Sequence, residues 1–144
     1  MPLPTPEPGL VIGYAYLWRH EVLRGYGEGV KDRPCVIVLS VRNVGGQTVV
    51  SVAPITHSRP DGVELAVEIP LETKRRLGLD GARSWIVAGE LNQFVWPGVD
   101  LRPEGRGGHN YAYGRLPATL YRQVRERVLA LAKAGRVRIT GRDG

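Results

Sequence analysis

The fold of this chain is decided by KDRPCVIVLSV (residues 31–41) and TVVSVAPITHS (residues 48–58). Each stretch is a run of β-branched and aliphatic residues of strand length, and each is bounded by charge, glycine or proline. We expect the two strands to pair about residues 43–47, which contain a Gly-Gly turn. The sequence therefore predicts a β-hairpin within a small sheet.

Four polar side chains lie at the ends of this predicted hairpin. Arg33 begins the first strand, and Thr56, His57 and Ser58 end the second. Because a hairpin places the start of one strand beside the end of the other, we expect these groups to cluster at one rim of the sheet. A guanidinium, a hydroxyl and an imidazole in one place form a candidate anion site, which favours phosphate chemistry.

The composition is that of one globular domain. The chain has 144 residues, 42% hydrophobic and 24% charged, which is enough for one core and too few for two ordinary domains. Its net charge is +6 and its pI is about 9.9. This charge favours an acidic partner such as nucleic acid, a membrane surface or an acidic protein, and the alternative is a solvated basic surface.

Cys35 is the single cysteine, which excludes an intrachain disulfide and a multi-cysteine metal site. It lies inside an apolar run, so we expect a buried core residue rather than a nucleophile. No apolar segment approaches the roughly 20 residues that span a bilayer. The proline-rich start of the chain lacks the basic and apolar regions of a secretory signal, so we expect a cytoplasmic protein that does not associate with a membrane.

The remaining sequence predicts one domain between an extended proline-rich arm (residues 1–9) and a mobile basic tail (residues 136–144). Within that domain, residues 10–135, further elements are expected: strands at 10–18, 63–69, 84–95 (interrupted near Gly89) and 111–116, helices at 71–77 and 117–134, and loops at 19–32 and 97–108. About five or six short strands and a terminal helix predict a mainly β fold, built as a strongly bent antiparallel sheet or barrel.

Several features then coincide in order along residues 10–134: Gly13 in an aromatic-rich strand that ends at Trp18, a glycine-containing loop with Glu28, the pair Arg33-Pro34, the triplet Pro54-Ile55-Thr56, and Glu90 ahead of an amphipathic helix. In this order the sequence resembles the MazF/PemK (Kid-type) family of toxin–antitoxin toxins, whose relative CcdB shares the fold. The likeness covers nearly the whole predicted domain.

The resemblance implies an SH3-like small barrel of the CcdB/MazF/PemK type with a C-terminal α-helix. It further implies a homodimer and a metal-independent endoribonuclease that cleaves single-stranded RNA, an mRNA interferase that inhibits growth. A cognate antitoxin protein is implied as the partner that blocks the RNA groove. On this basis we expect neither a cofactor nor a metal ion.

Metal-free RNA cleavage uses the neighbouring 2′-hydroxyl as nucleophile, and it needs a base, an acid and a cation over the crowded phosphorane. Arg33 can supply the cation, because a guanidinium donates a planar fork to two phosphate oxygens. Thr56 can donate its hydroxyl to a phosphate oxygen, and His57 can act as acid or base. The resemblance implies that Glu90 is the base.

Each assignment has a structural alternative. Arg33 can form an ion pair with Asp32 or Glu28, Thr56 can cap backbone at the strand end, and His57 can be an exposed loop residue. For RNA binding we single out charged, hydroxyl and aromatic residues near the glycine-rich loops: Tyr26, Glu28, Lys31, Ser58, Arg59 and Arg83.

Two positions depart from the family pattern. Ala88 stands where the family has a catalytic arginine, and Gly27 stands where it has a small polar residue or histidine. These departures favour an alternative function, a catalytically decayed PemK-like module that binds RNA or a protein partner without cleavage, unless His57, Arg59 or Arg83 substitutes. A third interpretation, a topoisomerase poison like CcdB, is disfavoured by the basic surface of the terminal helix and by the Arg-Pro pair.

Overall fold

A computed structural model describes residues 3–25, 31–103 and 111–142 of the chain. Within these ranges the strands are β1 (Leu10–Tyr14), β2 (Arg33–Arg42), β3 (Thr48–Thr56), β4 (Ala66–Glu68), β5 (Trp85–Val87), β6 (Glu90–Val95), β7 (Leu101–Arg102), β8 (Ala112–Arg115) and β9 (Arg138–Arg142). The helices are α1 (Arg19–Leu23), α2 (Leu71–Leu77) and α3 (Ala118–Lys133), with a 3-10 turn at Val63–Leu65. The prediction of a mainly β fold with a C-terminal helix is confirmed.

The predicted hairpin is formed by β2 and β3. Their antiparallel register runs from Arg42 opposite Thr48 to Cys35 opposite Pro54, with a bulge between Ile37 and Leu39. Hydrogen bonds between residues 43 and 47 close the turn, and Gly46 has a φ of 82°, which glycine adopts without strain. The hairpin prediction is therefore confirmed.

β3 is the strand that joins the parts of the sheet. The main order is β4-β5-β3-β2-β1-β7; β8 pairs with β1, and β6 lies between β3 and β9. Residues 49–52 of β3 pair with β6, whereas Ile55 and Thr56 pair with β5. The end of β3 thus turns away from β6, and the start of β6 lies near the rim where β3 ends. All pairs are antiparallel except β6 with β9.

Two apolar clusters hold the fold together, one on each face of the central strands. Because successive strand residues point to opposite faces, Val36 packs in the cluster covered by α3, and Ile37 packs in the other with Tyr14 and Phe94. Cys35 is fully buried in the second cluster, and burial raises the pKa of its thiol. The expectation of a core cysteine is confirmed. No helix in the described ranges is long and apolar enough to cross a membrane.

Residues 10–25 differ from the prediction of one strand to residue 18 and a mobile loop beyond it. β1 ends at Tyr14, and α1 begins at Arg19. The Glu21 carboxylate accepts the backbone N–H of Trp18 at 2.9 Å, which satisfies a donor at the helix start. The segment between β1 and α1 is fixed to the domain by the two hydrogen bonds between the Leu17 backbone and the Asn92 amide.

The predicted strand at 63–69 is also shorter than expected, because residues 63–65 form a 3-10 turn and only 66–68 pair with β5. The predicted interruption near Gly89 is confirmed, since Gly89 separates β5 from β6. A Cβ atom at Gly89 would lie 3.2 Å from the Leu65 side chain, so the two segments approach closely there. The loop expected at 97–108 contains the short strand β7.

The prediction of a mobile tail beyond residue 135 is wrong for residues 138–142, which form β9 against β6. The physical reason is Arg142, whose guanidinium is buried and fully engaged. Its Nη1 donates to the Ala15 carbonyl at 2.8 Å and to Asn92 Oδ1 at 2.9 Å, and its Nη2 lies 2.9 Å from Asp100 Oδ2. Arginine in a basic tail predicts solvent exposure, whereas here it anchors the sheet.

Candidate functional site

The starts of β2 and β6 and the end of β3 bring Arg33, Glu90 and Thr56 to one open cleft of about 960 Å³. All three side chains are partly exposed. We call this the Glu90 cleft; its lining also includes residues of α1, the 58–61 loop, and the segment that leads into β9: Trp18, Arg19, His20, Ser58, Arg59, Pro60, Asp61, Arg136 and Arg138. Three of the four residues predicted to be catalytic therefore share one cavity.

Within that cleft, one carboxylate oxygen of Glu90 accepts two hydrogen bonds. Its Oε2 accepts the Tyr16 hydroxyl at 3.0 Å and the Arg19 backbone N–H at 3.0 Å. Burial raises the pKa of Glu90 above its ordinary value, while these two hydrogen bonds and the charges of His20 and Arg19 act in the opposite direction. A carboxyl group with a raised pKa is better suited to exchange protons near neutral pH.

Arg33 makes only weak contacts with the described residues, and none of them is with a carboxylate. Its Nη1 donates to the Ile55 carbonyl at 3.4 Å, and its guanidinium carbon lies 5.1 Å from the centre of the Trp18 ring. Its Nε is buried without a hydrogen-bond partner among the described residues. The alternative ion pair with Asp32 is not formed, because Asp32 lies 3.4 Å from Arg102 instead. Glu28 lies outside the described residues.

Thr56 makes the backbone contact that was considered as its structural alternative. Its Oγ1 accepts the backbone N–H of Ser58 at 3.1 Å, which makes the turn at the end of β3. The same hydroxyl keeps its own hydrogen as a donor, because the Ser58 bond uses the oxygen as acceptor. Thr56 can therefore stabilise the turn and contact a phosphate oxygen at once.

A second cleft, of about 750 Å³, adjoins the first at the residues that line both. We call it the His57 cleft; it is lined by Lys31, Asp32, Arg33, Pro34, Ile55, Thr56, His57, Ser58, Lys74, Gly78, Leu79, Asp80, Ser84 and Tyr113. Three residues, Arg33, Thr56 and Ser58, line both clefts and form what we call the ridge. Glu90 and His57 are thus found in neighbouring cavities that meet at the ridge.

His57 is an exposed residue of the bend after β3, as the structural alternative expected, and it is also paired with a carboxylate. Its Nε2 lies 2.7 Å from Asp80 Oδ2, and Asp80 Oδ1 accepts a hydrogen bond from the Lys74 ammonium at 2.6 Å. The side chain of Lys74 is only 2% exposed, and it also donates to the Ala82 carbonyl and to Ser84 Oγ. The hydrogen bond from Lys74 holds the pKa of Asp80 below its usual range. We call Lys74, Asp80 and His57 the Asp80 network.

The residues predicted to bind RNA are divided among different surfaces. Arg59 and Ser58 line the Glu90 cleft, and Lys31 lines the His57 cleft. Arg83 lies in neither: its Nε and Nη2 donate to the Glu68 carboxylate at 2.8 and 2.9 Å, in a small pocket of about 240 Å³ that Arg59 also lines. Tyr26 and Glu28 lie outside the described residues. The roles of all these residues remain predictions.

Sequence reasoning missed several residues of the Glu90 cleft. His20 was placed in a loop and Arg138 in a mobile tail, yet both line the cleft, and Arg138 is the register partner of Glu90 in the β6–β9 pair. Tyr16 lies in the core, and its hydroxyl donates to Glu90. The signal available for α1 was the glutamate three residues after Trp18. No local pattern indicated that β9 would pair with β6.

Ala88, which stands where the family pattern has an arginine, occupies a buried position. Ala88 is fully buried, and its backbone N–H donates to the Leu65 carbonyl at 2.7 Å. Arginines of other segments line the Glu90 cleft instead: Arg19, Arg33, Arg59, Arg136 and Arg138. Gly27, the other departure, lies outside the described residues. Across the described ranges, no cluster of three or more His, Cys, Asp and Glu side chains could hold a metal ion.

Comparison with known proteins supports the fold. No family model matches the chain, and no curated protein matches its sequence. A chain of the crystal structure of MazE–MazF (Form-III) from Deinococcus radiodurans is similar, with a TM-score of 0.54 and 19% identity over 89% of this chain and 96% of that chain. At this identity the likeness shows the fold alone. The chain therefore has a MazF-like fold, as the order of its motifs predicted.

Proposed function

We propose that this protein is a toxin-like endoribonuclease that cleaves single-stranded RNA without a metal ion, an mRNA interferase and growth inhibitor of a toxin–antitoxin system. The observation that carries the proposal is the meeting of Glu90, Arg33 and Thr56 in one open cleft on a MazF-like fold. A base, a cation and a hydroxyl donor are the groups that attack by a 2′-hydroxyl requires.

The reaction follows from the positions of these groups. Glu90, as the carboxylate, takes the proton of the 2′-hydroxyl while that oxygen attacks the adjacent phosphorus. Arg33 donates to the non-bridging oxygens as negative charge grows on them, and Thr56 adds a neutral donor. The bond from phosphorus to the 5′-oxygen breaks, giving a 2′,3′-cyclic phosphate and a 5′-hydroxyl. The raised pKa of Glu90 supports its role as the proton acceptor.

The charge distribution supports an RNA substrate. Several arginines line the Glu90 cleft, and the chain carries a net charge of +6. Such side chains neutralise backbone phosphates without regard to base sequence. Ser58 then contacts the strand at the ridge, Arg59 in the Glu90 cleft and Lys31 in the His57 cleft.

The fold supports two further proposals about partners. A structure that pairs MazE with MazF supports a cognate antitoxin for this chain, and the same fold supports a homodimer. An exposed apolar surface is available for a protein partner: Leu39, Val41 and Val95 are 52%, 49% and 38% exposed.

The test is cleavage of a long single-stranded RNA by the purified protein in EDTA. We expect fragments that end in 2′,3′-cyclic phosphate, and we expect Arg33→Ala and Glu90→Gln each to slow cleavage by roughly two to four orders of magnitude. Glu72→Gln is the matched control, because Glu72 is an exposed carboxylate on α2 outside both clefts. Wild-type rates in both site variants would contradict the assignment.

One observation favours a second function, a decayed PemK-like module that binds RNA or a protein partner without cleavage. The buried Ala88 supplies no cation beside Glu90, where the family pattern has an arginine. In the same assay, this function predicts intact RNA together with salt-sensitive retention of the RNA by the protein.

A further inference from the structure

The proposed cleavage needs a second proton transfer that Glu90 does not supply. When the 2′-oxygen attacks, the 5′-oxygen leaves from the opposite side of the phosphorus, because the attacking and leaving oxygens are roughly in line. A leaving alkoxide requires a proton. Glu90 receives the 2′-hydroxyl proton on the attacking side, so the donor must lie across the phosphate from it.

A phosphate bound at the ridge could have Glu90 and a proton donor in different clefts. Arg33 and Thr56 line both clefts, whereas Glu90 lines the first and His57 lines the second. A phosphate bound at Arg33 and Thr56 therefore has a carboxyl group in one neighbouring cavity and an imidazole in the other. A strand that crosses the ridge would place its attacking and leaving oxygens toward different clefts.

His57 is held as proton donors in active sites are held. Asp80 fixes the imidazole through Nε2 at 2.7 Å, and this leaves Nδ1 as the nitrogen that can exchange a proton with a substrate. Asp80 is fixed in turn by Lys74 at 2.6 Å and by the Ala82 backbone N–H at 3.1 Å.

We infer that His57 is the acid that protonates the 5′-oxygen, and that Asp80 and Lys74 are positioning residues that orient it. This inference rests on the proposed endoribonuclease function and names the proton donor that the site otherwise lacks. As the bond from phosphorus to the 5′-oxygen breaks, the proton of Nδ1 passes to that oxygen. Glu90 then holds the 2′-hydroxyl proton, His57 is neutral, and both return to their starting states by exchange with water.

The test compares an ordinary RNA with the same RNA carrying a 5′-bridging phosphorothiolate at the cleaved linkage, where the leaving group is a thiolate that needs no proton. We expect His57→Gln to slow cleavage of ordinary RNA by about 10²–10⁴-fold and to cleave the phosphorothiolate at close to the wild-type rate. Asp80→Asn should show the same pattern with a smaller loss. Glu90→Gln should be slow on both substrates, and Glu72→Gln should match wild type on both.

The results of this experiment distinguish a failure of the inference about His57 from a failure of the proposed function. If wild type cleaves and His57→Gln cleaves ordinary RNA equally fast, or is slowed equally on both substrates, His57 is not the acid and the inference is overturned. If Asp80→Asn matches wild type on ordinary RNA, the positioning role is overturned. If wild type cleaves neither substrate, the proposed function itself fails and the inference fails with it. Recovery on the thiolate substrate also excludes misfolding as the cause of a loss.

Discussion

Arg142 donates a hydrogen bond of 2.9 Å to Oδ1 of Asn92, and this contact joins β9 to the centre of β6. Asn92 is fully buried, and its amide also accepts from the Leu17 N–H at 2.9 Å and donates to the Leu17 carbonyl at 2.8 Å. One amide therefore connects the strand that carries Arg138 with the segment that leads from β1 into α1. Both of these segments contribute residues to the lining of the Glu90 cleft.

We expect Asn92→Ala to lower the free energy of unfolding by about 2–4 kcal/mol, because it leaves several buried polar partners unsatisfied at about 1–3 kcal/mol each before the structure relaxes. Urea denaturation measures the change. Arg122→Met is the control, because Arg122 is exposed on α3 and its loss should stay within about 0.5 kcal/mol. Equal midpoints for the two variants would contradict a structural role for the Asn92 amide.

The Lys74–Asp80 pair should be asymmetric when each partner is removed. Asp80→Asn leaves a nearly fully buried ammonium without its carboxylate, and we expect a loss of about 1–3 kcal/mol. Lys74→Met removes a donor from the Ala82 carbonyl and from Ser84 Oγ, but it leaves Asp80 half exposed to water and replaces the buried charge by an apolar chain of similar length. Because no buried charge is left unpaired, the loss should be smaller. The urea midpoints of Asp80→Asn and Lys74→Met test this order. A larger loss of stability in Lys74→Met would contradict the prediction from burial.

The pH dependence of cleavage should report Glu90. A base acts in its ionised form, and burial raises the pKa of Glu90, so activity should rise with pH above the range of an ordinary carboxyl group. Tyr16→Phe removes a hydrogen bond that stabilises the carboxylate, and we expect it to move the acid limb of the kcat/KM profile to higher pH. An acid limb that stays in place in Tyr16→Phe would mean that another group controls it.

The raised pKa of Glu90 also affects the stability of the fold, which favours the protonated carboxyl group, whereas catalysis needs the ionised one. Because burial raises the pKa of Glu90, the folded protein binds its proton more tightly than the unfolded chain. The stability from this linkage is present below the unfolded pKa and is lost as pH rises through the folded pKa. Glu90→Gln should therefore be more stable than wild type at about pH 7, and the difference should vanish near about pH 3. Urea midpoints at the two pH values test this.

Arg59 and Arg83 form a matched pair for the RNA contacts. Both are exposed, but Arg83 is bound by two hydrogen bonds to Glu68, whereas Arg59 lines the Glu90 cleft. We expect Arg59→Ala to weaken RNA binding and to reduce the salt slope by about one counterion, and Arg83→Ala to have a smaller effect. Binding titrations at several salt concentrations measure both; a larger effect at Arg83 would place the strand outside the two clefts.

The sequence predicted what local pattern controls. Periodic apolar residues and a Gly-Gly turn predicted the β2–β3 hairpin, and the hairpin alone places Arg33 near Thr56. The partners of the site residues could not be predicted in this way. Tyr16 and Glu90 are 74 positions apart, and their contact depends on how β6 and β1 sit in the finished sheet.

The misjudged segments share one physical cause, which is that polar residues were interpreted without their partners. Arg142 suggested a solvated tail until Asn92 and Asp100 satisfied it, and Glu21 suggested a loop until it bound the Trp18 N–H. A buried charge depends on groups brought from elsewhere in the chain. The pattern of hydrophobic residues along the sequence does not show which polar groups these will be.

The ridge also defines a route to inhibitors. Because Arg33, Thr56 and Ser58 line both the Glu90 cleft and the His57 cleft, a small molecule bound in either cleft contacts the centre of the proposed chemistry. Fragments found separately for the two clefts can be tethered over the guanidinium between them, and the joined compound gains affinity from the high local concentration of its second half.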